Sequence, residues 1–147
     1  MNARGLCLPA AFLLLLTANS PARAQDWPRW AREQRAELRP TPAEWSAWWD
    51  RIAAHCECAP ATSFDRLQVW VIDRDDFELP RPTRGFFAGA WLYDGVIVIS
   101  SRYLRNEGLV EHEMLHAALG PKFAVGNGHP PIFRKLGLDA AWLRVGL

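Results

Sequence analysis

This sequence is short of basic runs, long apolar runs and cysteines. Its 147 residues carry 17 Lys and Arg against 16 Asp and Glu, with no basic run. Phosphate binding depends on clustered cations, so a nucleic-acid partner is not expected, nor is a strongly anionic membrane surface. The apolar run from Leu6 to Ala18, interrupted by Pro9 and Thr17, is too short for a spanning helix, which needs roughly 20 apolar residues. With Arg4 ahead of it and Ala22-Arg23-Ala24 behind, it reads as a secretory signal peptide over residues 1–24, cleaved after Ala24. Export to the periplasm or the medium is therefore expected, with no stable membrane insertion after cleavage. Cys7 stands at the start of the apolar run, whereas a lipid-attachment cysteine would close it.

Cleavage leaves 123 residues, one domain's worth, and removes Arg4 and Arg23, so 15 basic residues then face 16 acidic ones. Of the three cysteines, Cys56 and Cys58 remain. In an exported chain this even pair suggests a disulfide closing a very small loop, with a redox or metal role as the alternative.

Residues 25–40, polar and Arg-rich and ending in a proline, read as a linker or a loosely docked N-terminal segment ahead of a domain over residues 41–147. Thr41-Pro42-Ala43-Glu44 has the form of a capping box opening a helix over residues 42–55, whose Trp45, Trp48, Trp49 and Ile52 share one core-facing stripe. The alternating run from Leu67 to Ile72 predicts a strand. Asp94-Gly95 between Ala90–Tyr93 and Val96–Ser100 predicts a hairpin. Asp73, Asp75, Asp76 and Glu78 lack the glycine and closing glutamate of a calcium loop and read as solvated. A second helix is expected over residues 107–119, with Asn106 as its cap and Gly120-Pro121 as its stop, and a short third one from Pro130 to Gly137. This order makes an α+β domain with a small antiparallel sheet.

The second helix carries His112-Glu113-Met114-Leu115-His116, an H-E-x-x-H pattern. Residues four apart share a helical face, so both imidazoles can address one ion. A catalytic zinc takes three protein ligands and leaves a position for water, which Glu113 would activate as a base. No glutamate follows Glu113, and Asp139 is the one acid downstream. The third ligand is therefore His129, thirteen positions after His116, with Asp139 as the alternative. A hydrolytic intermediate also needs a donor beside the metal, for which Tyr103, Tyr93 and Arg134 are candidates. Val96–Ser100 or Ala88–Tyr93 could hold an extended peptide by strand addition.

His112-Glu113-x-x-His116, then His129 with Phe133 four residues on, resembles the SprT-like zinc metallopeptidases and other minimal zincins, over residues from about 88 to 136. The resemblance implies a zincin-like domain in which a β-hairpin enters the active-site helix. It also implies His112, His116 and His129 as ligands of Zn2+, and Glu113 as catalytic acid/base. SprT-like proteins act inside cells, some of them on DNA-bound proteins. This chain carries an export signal and no basic patch, so the site and fold type transfer and the substrate does not. The expected function is an exported zinc metallopeptidase acting on a peptide or protein. The rival is a non-catalytic, zinc-stabilised binding module of the cell envelope on the same scaffold.

Overall fold

The structure is a computed structural model, and it describes residues 21–56, 59–79, 85–121 and 129–139, with side chains from Trp27 onward. Residues 1–20 of the expected leader lie outside the described residues. The elements run α1 (Pro21–Glu33), β1 (Glu37–Arg39), α2 (Trp45–His55), β2 (Gln68–Ile72), β3 (Phe77–Glu78), β4 (Phe86–Phe87), β5 (Gly89–Tyr93), β6 (Val96–Ser100), α3 (Glu107–Leu119) and α4 (Pro131–Lys135).

Four strands form one sheet in the order β1-β2-β6-β5, and β3 pairs with β4 in a separate ribbon. The hairpin is as the sequence predicts: Asp94 and Gly95 both take positive φ, 40° and 82°, the geometry of a two-residue turn that matches strand twist. The expectation of an antiparallel sheet needs correction. β1–β2 and β5–β6 are antiparallel, but β2 and β6 run parallel, with Val69 opposite Ile97 and Val71 opposite Ile99. Strand β5, antiparallel to β6, brings the chain back to the end where β2 began, the return that a parallel pair requires. Nothing in the composition of a strand states the direction of its neighbour.

Helices and loops cover both faces of this sheet. Side chains alternate along each strand, so Val69, Val71, Trp91, Ile97 and Ile99 enter one core with α2, α3 and α4. Ile72, Ala90, Val96 and Val98 enter the other, with Trp27 and Trp30 of α1 and with Phe77. All five residues of β6 are buried, as suits a central strand with both faces covered.

Residues 25–40, expected to be a linker or loosely docked, are built into this second core. Trp27 and Trp30 are buried, the Trp30 indole N–H donates to the Glu78 carbonyl at 3.0 Å, and residues 37–39 pair with β2. The linker expectation rests on polarity, arginines and the closing proline, but the buried apolar surface of two indoles outweighs these and Pro28 inside the helix. The capping box is also absent. Helix α2 begins at Trp45 behind Glu44, with no side-chain cap, and Trp45 N–H instead donates to the Pro42 carbonyl at 3.0 Å. Its stripe is as expected, with Trp45, Trp49 and Ile52 buried and Trp48 packed beside them.

Candidate metal centre

Helix α3 starts where the sequence says it should. The Asn106 side chain accepts a hydrogen bond from Leu109 N–H at 3.0 Å, satisfying one of the donors a helix start leaves open. From Leu109 to Ala118 every residue except Glu111 is buried, so the helix is enclosed on nearly all sides. Gly89 of β5 permits its close approach: a Cβ there would stand 3.3 Å from Leu109 Cγ and 3.4 Å from Glu113 Cγ.

The two α3 histidines meet the third. Ring centroids lie 4.9 Å apart for His112–His116, 4.6 Å for His112–His129 and 5.1 Å for His116–His129. One nitrogen from each ring falls within 4.8 Å of the others, close enough to bind one metal ion; His112 and His116 are buried and His129 is exposed. Among the described residues these three form the metal-capable group, and Asp139 is not part of it. Phe133, fully buried on α4, packs against all three rings at 5.0, 4.6 and 4.5 Å, stacking on that of His129.

The surroundings discriminate between the two nitrogens of His112. Its Nδ1 lies 2.6 Å from the Leu138 carbonyl, an acceptor, so Nδ1 carries the proton and Nε2 keeps its lone pair for an ion. Burial pushes the His112 pKa down to about 4, against the opposing pull of that carbonyl. His129 is also lowered by desolvation, while Asp139 acts in the other direction through its charge and a backbone hydrogen bond. Neutral imidazoles are what a metal ion requires.

Glu113 points away from solvent. Its Oε2 accepts the Trp91 backbone N–H at 2.6 Å, and burial raises its pKa to about 8 despite that bond. The bonding partner is a free-edge group. Ser100 N–H donates to the Ala88 carbonyl, so by antiparallel alternation Ala90 turns its backbone toward β6 and Trp91 turns its own outward. The Trp91 ring meanwhile stacks on His116 at 6.0 Å and 10°. One β5 residue thus contacts both Glu113 and His116.

The remaining candidates are distributed more widely. Tyr93 is partly buried in the core on the opposite sheet face, its pKa raised by desolvation and then by Asp94. Arg134 is exposed and pairs with Asp139 at 3.5 Å. Tyr103 belongs to the turn Ser101–Tyr103 ahead of α3, packed on the main core with the Arg102 guanidinium 5.7 Å from its ring. Cys56 is disulfide-bonded, and Cys58 lies outside the described residues. Of the two strands considered for peptide addition, β6 is central and closed on both edges, whereas β5 is an edge strand.

Sequence reasoning missed Trp91 and the Leu138 carbonyl, because a stacking ring and a main-chain acceptor have no sequence pattern. Gly137, just after α4, is the one nearby feature with a readable signal, that of a helix-ending glycine.

Fold and site together define a class: an α+β domain with a three-histidine cluster able to bind a metal, beside a buried glutamate. The chain matches no protein-family model, no curated protein and no solved structure.

Proposed function

We propose that this chain is an exported zinc-dependent metallopeptidase, with His112, His116 and His129 as ligands and Glu113 as general acid/base. The observation that carries the reading is the convergence of three imidazole nitrogens within 4.8 Å, two of them from helix α3, which also carries Glu113. Three imidazole nitrogen ligands in a protein-lined site suit Zn2+ and leave it a position for water. Bound there, zinc would supply a Lewis acid that polarises the scissile carbonyl and acidifies water.

The chain's own residues do the rest. Nδ1 of His112, held by Leu138, keeps Nε2 directed to the centre. Phe133 and Trp91 pack the rings and exclude water from their sides. Burial keeps the proton on Glu113 in the metal-free chain; with a cation held by the three histidines its carboxylate form would be favoured, and that carboxylate would take a proton from water and pass it to the departing amine. Apart from the Trp91 N–H, which Glu113 already takes, the free edge of β5 is the backbone an extended peptide would pair with. The likeness of the motif and of the His129–Phe133 spacing to SprT-like and other minimal zincins supports the same assignment, and the leader supports export.

The test is Glu113→Gln. It keeps the shape of the side chain and should leave zinc content at one ion per chain while peptide-library cleavage falls by a factor of at least ~100. Cleavage at the wild-type rate would remove Glu113 from the mechanism.

A second reading, a zinc-stabilised binding module, is favoured by one observation: the Glu113 carboxylate is fully buried and already occupied by the Trp91 amide. Zinc-loaded protein that cleaves no member of a peptide library, with or without chelator, would decide for it.

A further inference from the structure

The short helix α4 ends in a particular way. Gly137, at φ 70°, follows the C-cap Leu136. Its N–H donates to the Arg134 carbonyl at 3.0 Å, and the Leu138 N–H donates to the Phe133 carbonyl at 2.7 Å. These two bonds, running back from the two residues after the cap, are those of a Schellman motif, and the two residues whose apolar side chains usually accompany it, Leu138 and Phe133, are both buried in the same core.

Both ends of this motif touch the histidines. At one end is Phe133, whose ring lies against all three imidazoles. At the other is Leu138, whose carbonyl holds Nδ1 of His112 at 2.6 Å, followed by Asp139, whose backbone is bonded by His129. The Leu138 carbonyl takes this direction only if the preceding residue takes the left-handed conformation, which Gly adopts freely and residues with a Cβ resist.

We infer that Gly137 is a positioning residue of the metal centre: the helix cap it closes aims the Leu138 carbonyl at His112 and so fixes which nitrogen of that ring faces the ion. Partners of this kind behind a ligating histidine set its tautomer and ring orientation, and their loss typically costs 10–100-fold in metal affinity. The inference rests on the proposed three-histidine centre and adds to it a residue that touches neither ion nor substrate.

Gly137 is also a clean position to alter. Among the described residues a Cβ there would meet nothing within 4 Å, so Gly137→Ala acts through backbone conformation and not through a clash with them. The experiment compares wild type, Gly137→Ala and Gly137→Asn, since asparagine tolerates the left-handed region and should restore the cap. Zinc affinity is measured by competition with a chromophoric chelator. The imidazole N–H resonances of the zinc-saturated proteins are followed by 15N–1H NMR.

Gly137→Ala should weaken zinc binding about 10-fold or more and lose the solvent-protected Nδ1–H signal of His112, and Gly137→Asn should recover both. A merely structural glycine would lower the melting temperature while affinity and the Nδ1–H signal stayed at wild-type values, and that result would overturn the inference. If Gly137→Ala does not fold, the outcome passes to Gly137→Asn: wild-type affinity and signal support the inference, and reduced affinity in a folded Asn variant overturns it. Wild-type protein that binds no zinc would sink the metal centre itself, and this inference with it.

Discussion

At the scale of single residues, the centre places two groups with opposite responses to pH side by side. In the metal-free chain the pKa of Glu113 is raised to about 8, so the stability it confers is complete below its unfolded value of 4.5 and is lost as pH rises toward 8. That of His112 is depressed to about 4, so its contribution is present above 6.5 and lost as pH falls toward 4. The two oppose one another between 4.5 and 6.5, and of this pair only Glu113 acts from 6.5 to 8. Melting of the chelator-treated protein should therefore drop over that upper window, and Glu113→Gln should flatten the drop. An equal slope in the variant would assign it elsewhere. Gly89 makes a second point at this scale. In Gly89→Ala the new Cβ crowds Leu109 and Glu113, both enclosed, and overpacking of this kind costs about 1–3 kcal/mol, readable as a shifted urea midpoint.

At the scale of elements, α3 is the best specified part of the chain and α2 the instructive miss. Both were expected to open with a polar side-chain cap. Asn106 makes its bond to Leu109, whereas at α2 the cap position falls to Glu44 and no side chain caps it. What anchors the start of α2 is tertiary: the indole of its first residue, Trp45, is buried and donates to the Leu104 carbonyl at 3.1 Å. The Arg51 side chain further along bonds Glu107 and Glu111 of α3 at the surface. Asn106→Ala should therefore cost about 1 kcal/mol by denaturant unfolding, the usual value of a lost helix cap. Thr41→Ala should cost nothing measurable by the same assay.

At the scale of the whole molecule, the covered back of the sheet is the feature that most changes the picture of a small domain. Helix α1 and the β3–β4 ribbon close that face around Trp27, Trp30, Trp70 and Phe77, whose rings lie 5.0 to 6.0 Å from one another in sequence of contact. Trp30→Ala removes a buried indole and the bond it makes to Glu78, and should destabilise the protein by about 3–5 kcal/mol. A loss below about 1 kcal/mol in thermal or urea unfolding would mean that α1 is dispensable to the fold.

Taken by itself, the sequence determined what depends on near neighbours along the chain. Helix α3 has its cap at 106, its stop at Gly120 and two histidines and a glutamate four or fewer residues apart, all legible because helical periodicity is local. The hairpin was legible for the same reason, since Asp94-Gly95 is chemistry within two residues. The approach of His129 was read from motif and spacing. Tertiary structure alone decided the rest. The parallel pairing of β2 with β6, the burial of α1 and the contacts of Trp91 and Leu138 all join residues far apart in sequence. Such contacts follow from which apolar surfaces can be covered together, and no stretch of the chain states that on its own.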